Sequence, residues 1–202
     1  MKAIVINASP KRKGINAQLS KSAAEGAKSV GAEVEYVDLY KYELHGCMSC
    51  LICKQEGNHC KCYWKDELSS LIERILDADV LIIGAQIFFS EPTSHFRALI
   101  ERLFFCLVSY DVGNAFNGKI NAGVFYTISY PKDYFEKSVH PHLEQTEILF
   151  SMLNGEVVFD SFMNISEHIK EHLSEDEVNS FKDDQLSCDL DKVFEMGANL
   201  CR

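Results

Sequence analysis

The stretch "KAIVINASPKRKGINAQL", Lys2–Leu19, carries three structural signals in succession. Residues 2–7 form a short apolar run ending in small and turn-forming residues, as a strand buried on both faces of a parallel sheet does. The loop after it offers the Ser9 hydroxyl, the charges of Lys11, Arg12 and Lys13, and Gly14 for tight backbone geometry. From Asn16, placed to cap a helix, Ala17, Leu19, Ala23, Ala24, Ala27 and Val30 recur at helical spacing, and Gly31 supplies the stop.

Outward from this unit the same alternation repeats. "AEVEYVDL" reads as a second strand, "KDELSSLIERILDA" as an amphipathic helix with an acidic first turn, and "DVLIIGAQ" as the most strand-like segment of the chain. "EPTSHFRALIERLFFCLV" predicts a helix opened by Pro92, and "KINAGVFYTIS" a fourth strand. Residues 133–153 read as helical, "GEVVFDSFMNI" as a fifth strand and "DLDKVFEMGANLC" as a closing helix, while the acidic stretch 166–187 gives no clear period. Alternating strands and helices predict an α/β fold: a doubly wound, five-stranded parallel sheet in the flavodoxin-like order 2-1-3-4-5, with helices on both faces. In that order a ligand sits at the switch point between strands 1 and 3, beside residues 8–16 and 85–90.

The 202 residues, 47% of them apolar, suit a single domain over 1–202 with a cysteine-rich loop at about 45–64. No apolar run reaches the roughly 18–20 residues of a membrane span, and the N-terminus lacks a signal-peptide pattern, so a cytoplasmic protein with no membrane partner is expected. A net charge of −10 argues against nucleic acid. The basic spot at Lys11–Lys13 suits a small anion or a solvated loop.

The first loop reads as a phosphate cradle, in which N–H groups at a helix start face the anion and the helix dipole favours its charge; a plain βα turn is the bland alternative. "SPKRKGINAQL" resembles the FMN-phosphate loop of the NADPH-dependent FMN reductase superfamily, S-P-[RK]-x-x-G-N-T-x-x-L, departing from it at Ile15 and Asn16. "ADVLIIGAQIFFSEPTSHFRALIER" is similar to that family's second flavin loop, with Gln86 for the usual proline, Phe88 for a tyrosine and Ser90 for a glycine. The resemblance implies a phosphate site at Ser9, Lys11, Asn16, Ala17 and Gln18, with Asn16 taking over capping. It also implies contacts from Gln86, Ile87, Phe88 and Phe89 to the isoalloxazine, and a third loop near Thr127, Ser129 and Tyr130.

"HGCMSCLICKQEGNHCKC", residues 45–62, holds five of the eight cysteines. Cys47, Cys50 and Cys53 are two residues apart, and Cys60 follows after six, a run resembling the ferredoxin-type wrapping of a [4Fe–4S] cluster. Zinc held by Cys47/Cys50 with Cys60/Cys62, or with His59, fits the spacing less well. A Cys50–Cys53 dithiol or a passive loop stays open. Iron–sulfur flavoproteins within the superfamily carry a C-x2-C-x2-C-x4–7-C motif at this place, which implies Cys47, Cys50, Cys53 and Cys60 as cluster ligands.

Blander readings suit the remainder. His168 and His172 lack the glutamate of a zinc-protease helix, His140 and His142 read as surface residues, and Cys106, Cys188 and Cys201 as buried or incidental thiols. No catalytic side chain is singled out, because a flavin performs its own redox chemistry. The expected activity is an FMN oxidoreductase passing electrons from NADH or NADPH to a quinone, flavin or other small acceptor. The alternative is an iron–sulfur electron-transfer module exchanging electrons with a ferredoxin-like partner. The resemblance further implies a homodimer or homotetramer.

Overall fold

The computed structural model describes residues 1–130, 132–163 and 184–202; His168, His172 and most of the acidic stretch 166–187 lie outside the described residues. The five predicted strands form as β1 (Lys2–Ala8), β2 (Glu33–Asp38), β3 (Val80–Phe88), β4 (Ile120–Ile128) and β5 (Asn154–Met163). All neighbours in the order β2-β1-β3-β4-β5 are parallel. β1, β3 and β4 are buried nearly throughout, which is why they read as continuous apolar runs rather than alternations.

Alternate residues of these strands divide between two cores, as the pleat requires. Ala3, Val5, Val80 and Ile82 pack under α1 (Ile15–Ser29) and the closing helix α5 (Asp184–Leu200). Ile4, Ile6, Leu81 and Ile83 pack under α2 (Glu67–Leu76) and α3 (Ser94–Leu107). α1 and α5 approach so closely that a Cβ on Gly26 would fall 1.9 Å from the Phe194 carbonyl oxygen, and one on Gly197 2.1 Å from that of Ala23. Both glycines are therefore packing devices, with no hinge role required of them.

Several local expectations are corrected. α1 is capped by Gly14, and Asn16 is turned inward and buried. Pro92 does not open α3; it pairs with Ile87 in a short antiparallel hairpin, and Thr93 is the N-cap, its hydroxyl accepting from Phe96 N–H. Residues 132–153 are helical but broken: Lys132–Tyr134, a π-helical turn Phe135–Val139, α4 (His140–Ile148) and a 3₁₀ turn Leu149–Leu153. His140 is no plain surface residue, since its ring stands between Glu147 (3.1 Å) and Glu136 (3.7 Å). The cysteine loop is irregular as expected, apart from one 3₁₀ turn, Ile52–Lys54. Among the described residues no helix is long and apolar enough to cross a membrane.

Candidate functional site

Three loops at the carboxyl ends of β1, β3 and β4 enclose a cleft of about 390 Å³, within the usual size range of small-molecule sites. Ser9, Lys11, Gly14, Ile15 and Asn16 come from the first loop, Gln86, Ile87, Phe88 and Phe89 from the second, and Thr127 and Ser129 from the third. Nine of the twelve residues implied for the three flavin loops thus meet in one place. Ala17 is buried in the core and Gln18 is exposed, so neither lines the cleft, and nor does Tyr130.

The cleft is held open by side chains tied beneath it. Asn16 Nδ2 donates to Asn7 Oδ1 (2.6 Å) and to the Gly84 carbonyl (2.9 Å), while its Oδ1 accepts from Thr127 Oγ1 (3.3 Å). One buried amide therefore pins the start of α1 to β1, β3 and β4. Ser9 Oγ donates to Gln86 Oε1 (3.0 Å) and accepts from Lys11 N–H (3.3 Å), and Thr93 Oγ1 donates to the Ala8 carbonyl (2.7 Å). Gln86, where the related loop has proline, is what joins the first loop to the second. Because Asn16's side chain is engaged below, the groups left to face an anion are the first-turn N–H groups of α1, which have no partners within the helix, together with Lys11.

Phe89 and Ser90 join β3 to its hairpin partner with φ of +50° and +66°, as a two-residue type I′ connection requires. The turn projects Phe88 and a fully exposed Phe89 over the mouth of the cleft. Chemically the arrangement fits FMN: amides and a lysine for the phosphate, and aromatic side chains with a backbone edge for the ring.

The cysteine loop packs against the C-terminal turn of α3. Lys54 Nζ donates to the Phe105 carbonyl and to that of Val108 (2.7 Å), and Cys60 N–H donates to the Cys106 carbonyl (2.9 Å), so the loop satisfies carbonyls that a helix end leaves free. At the loop's start, Cys47 N–H donates to Glu101 Oε2 (3.3 Å) and Arg102 reaches the His45 carbonyl (3.2 Å). Arg102 is fully buried and held bidentate by Asp66 at 2.5 and 2.7 Å. Burial works against its charge, and Asp66 and the Cys62 sulfur outweigh that.

Cys47, Cys50, Cys53 and Cys62 line one pocket with Arg102 and Cys106; Cys60 does not line it. Burial raises the Cys53 thiol, Lys54 opposes this, and the charges of Cys47, Cys50 and Cys62 add to the rise. Among the described residues no three His, Cys, Asp or Glu converge as a single metal ion requires, and tetrahedral zinc would need sulfurs about 4 Å apart. The void among the thiols is only about 20 Å³, and in the exposed limb Cys47–Leu51 both Ser49 and Leu51 are in left-handed conformations.

A family model for NADPH-dependent FMN reductase matches residues 1–169. The chain belongs to that family. Among curated relatives, an iron–sulfur flavoprotein of Methanocaldococcus jannaschii is 28% identical over 123 residues, 61% of this chain and 62% of that protein. An iron–sulfur flavoprotein of Archaeoglobus fulgidus is 31% identical over 102 residues, 50% of this chain and 48% of that protein. The chain thus spans about half to three fifths of the length of these relatives. Among solved structures, an NAD(P)H:quinone oxidoreductase from Methanothermobacter marburgensis superposes with a TM-score of 0.76 at 16% identity, covering 99% of this chain and 98% of that one, a likeness of fold.

Proposed function

We propose that this reductase-family chain is an FMN oxidoreductase passing electrons from NADH or NADPH to a quinone, a flavin or another small acceptor. The observation that carries the reading is the convergence of the three loops, which gathers Ser9, Lys11, Asn16 and Gln86–Phe89 around one cleft at the switch point of the sheet. FMN, when bound, supplies hydride acceptance from a nicotinamide and electron delivery to an acceptor. The chain's own residues position it. First-turn amides of α1 and Lys11 hold the phosphate, Ser9 and Gln86 fix the loop backbone, and Phe88 and Phe89 bound the stacking face. A reducing cytoplasm, where thiols stay free, suits a chain with five thiols in one loop.

The test is anaerobic stopped-flow mixing of the FMN-loaded protein with each nicotinamide. Bleaching of the flavin band by NADH or NADPH is expected; its persistence with both overturns the reading.

The cysteine pocket favours a second reading, in which a [4Fe–4S] cluster exchanges electrons with a ferredoxin-like partner. The two curated relatives named above are called iron–sulfur flavoproteins, and the spacing of Cys47, Cys50 and Cys53 resembles a cluster-binding run. Iron and acid-labile sulfide in anaerobically purified protein, with reduction by ferredoxin that Cys50→Ala abolishes, are its signatures. Ferredoxin reduction unchanged in Cys50→Ala removes it.

A further inference from the structure

We infer that a second cavity, between the β4–β5 edge of the sheet and α4, is a binding site for a small organic cation, a protonated primary amine. Its volume is about 360 Å³, within the range of small-molecule sites. Among the described residues none of those lining it lines the flavin cleft, so the inference stands apart from the reductase reading.

The walls follow from the break in the helical segment after β4. The π-helical turn Phe135–Val139 is of a kind that recurs at functional sites. It brings Phe135 and Glu136 to the cavity, and α4 adds His140 and Glu147, seven residues apart on one helix face. The strands contribute Tyr126 and Phe159. Asp160 also borders the cavity, but it pairs in register with Phe125, which belongs to the core on the other face of the sheet, and its carboxylate accepts from Ser161 N–H at 2.7 Å.

What the cavity lacks is a cation. Two carboxylates share one imidazole: His140 Nε2 lies 3.1 Å from Glu147 Oε2, and its Nδ1 lies 3.7 Å from Glu136 Oε2. That engages one oxygen of Glu147. The other, Oε1, is buried with no hydrogen-bond partner, and so is the hydroxyl of Tyr126, a residue 1% exposed. Buried polar atoms are rarely left in that state. Burial raises the Glu147 carboxyl, His140 and Tyr126 oppose the rise, and Glu144 adds to it. Burial and then Glu147 raise the Tyr126 hydroxyl. The two groups act on each other, yet neither closes a hydrogen bond.

An ammonium group answers both atoms. Its N–H groups donate to Glu147 Oε1 and to the Tyr126 oxygen, and its charge offsets the second carboxylate. Phe135 and Phe159 add aromatic wall, which favours a cation that carries an apolar body. A metal ion is the wrong guest, because among the described residues no three His, Cys, Asp or Glu converge as one requires. An anion would meet Glu136 and Glu147.

The test is isothermal titration of the FMN-loaded protein with benzylammonium chloride and, as its neutral twin, benzyl alcohol. Saturable binding of the amine is expected with the flavin band unmoved, and binding of the alcohol at least about tenfold weaker. This comparison needs no variant that must fold. Glu147→Gln should weaken the amine about tenfold, Tyr126→Phe should weaken it less, and Glu144→Gln, exposed on the same helix, should leave it unchanged. Equal binding of amine and alcohol, or no saturable binding of the amine, overturns the site. So does an equal loss in Glu144→Gln and Glu147→Gln, which would show general attraction to an acidic protein. An amine that shifts the flavin band and binds Glu147→Gln as tightly as wild type occupies the flavin cleft, which also overturns it.

Discussion

Asn16 does more for the cleft than its place in a phosphate loop suggests. Its amide satisfies acceptors on β1 and β3 and accepts from Thr127 on β4, at a position 3% exposed. Asn16→Ala leaves the Gly84 carbonyl and the Thr127 hydroxyl without these partners in a dry site, at about 1–3 kcal/mol for each group left unpaired. The expected outcome is a lower urea midpoint together with weaker FMN binding; unchanged values of both would show that the three strand ends need no common tie. Ser90 is the opposite case, a residue that opposes its own backbone. At φ +66° it occupies a conformation that costs a non-glycine side chain of order 1–3 kcal/mol, in a turn type that favours glycine at this position. Ser90→Gly should raise stability by about 1 kcal/mol after the entropy of the freer unfolded chain is subtracted, read as a higher urea midpoint with the slope unchanged.

Among the elements, α2 and α3 are joined by the pair Asp66–Arg102, and the cysteine loop hangs from the same pair. Asp66 caps α2, its Oδ1 accepting from Ser69 N–H at 3.0 Å. Burial pushes the Asp66 carboxyl up, but the hydrogen bonds from Arg102 and Ser69 outweigh this and hold it below the usual carboxylate range. A carboxyl depressed by folding adds stability above its unfolded value, and that stability is lost as pH falls through the folded one. Asp66→Ala should therefore cost about 3–5 kcal/mol near neutral pH by leaving Arg102 buried and unpaired. The deficit should shrink on acidification below about pH 4, the ordinary aspartate value; a pH-independent deficit in chemical denaturation would remove the charge argument. The pair also marks where the sequence was and was not legible. Strand runs, helix periods and the 2-1-3-4-5 order are local or topological signals, and all five strands and all five expected helices formed, the one over 133–153 broken into shorter turns. Asn16's inward turn, the His140 position between two glutamates and the separation of Cys60 from Cys62 depend on partners distant in sequence or on one backbone dihedral. Spacing carries no trace of these. Residue patterns found the loops, while which atoms face the ligand required the packing.

Across the whole molecule, the cleft and the cysteine pocket lie toward opposite ends of α3. Among the described residues none lines both. Thr93, the cap of α3, bonds to Ala8 at the cleft, whereas Arg102, Phe105 and Cys106 reach the cysteine pocket near the other end of that helix, which at 14 residues is about 21 Å long. Sites separated by more than about 7–10 Å without shared partners should respond additively, within about 0.3–0.5 kcal/mol. Lys11→Ala removes a charged phosphate contact and should weaken FMN by about 1–3 kcal/mol, while riboflavin, lacking the phosphate, should bind as before. Cys50→Ala should leave both flavin affinities alone, and the double variant should match Lys11→Ala. Fluorescence titration of the four proteins with both flavins measures this. A tenfold loss of FMN affinity in Cys50→Ala would mean that the cysteine loop reaches the flavin through motion of α3. The helix would then be a lever between the two sites instead of a spacer.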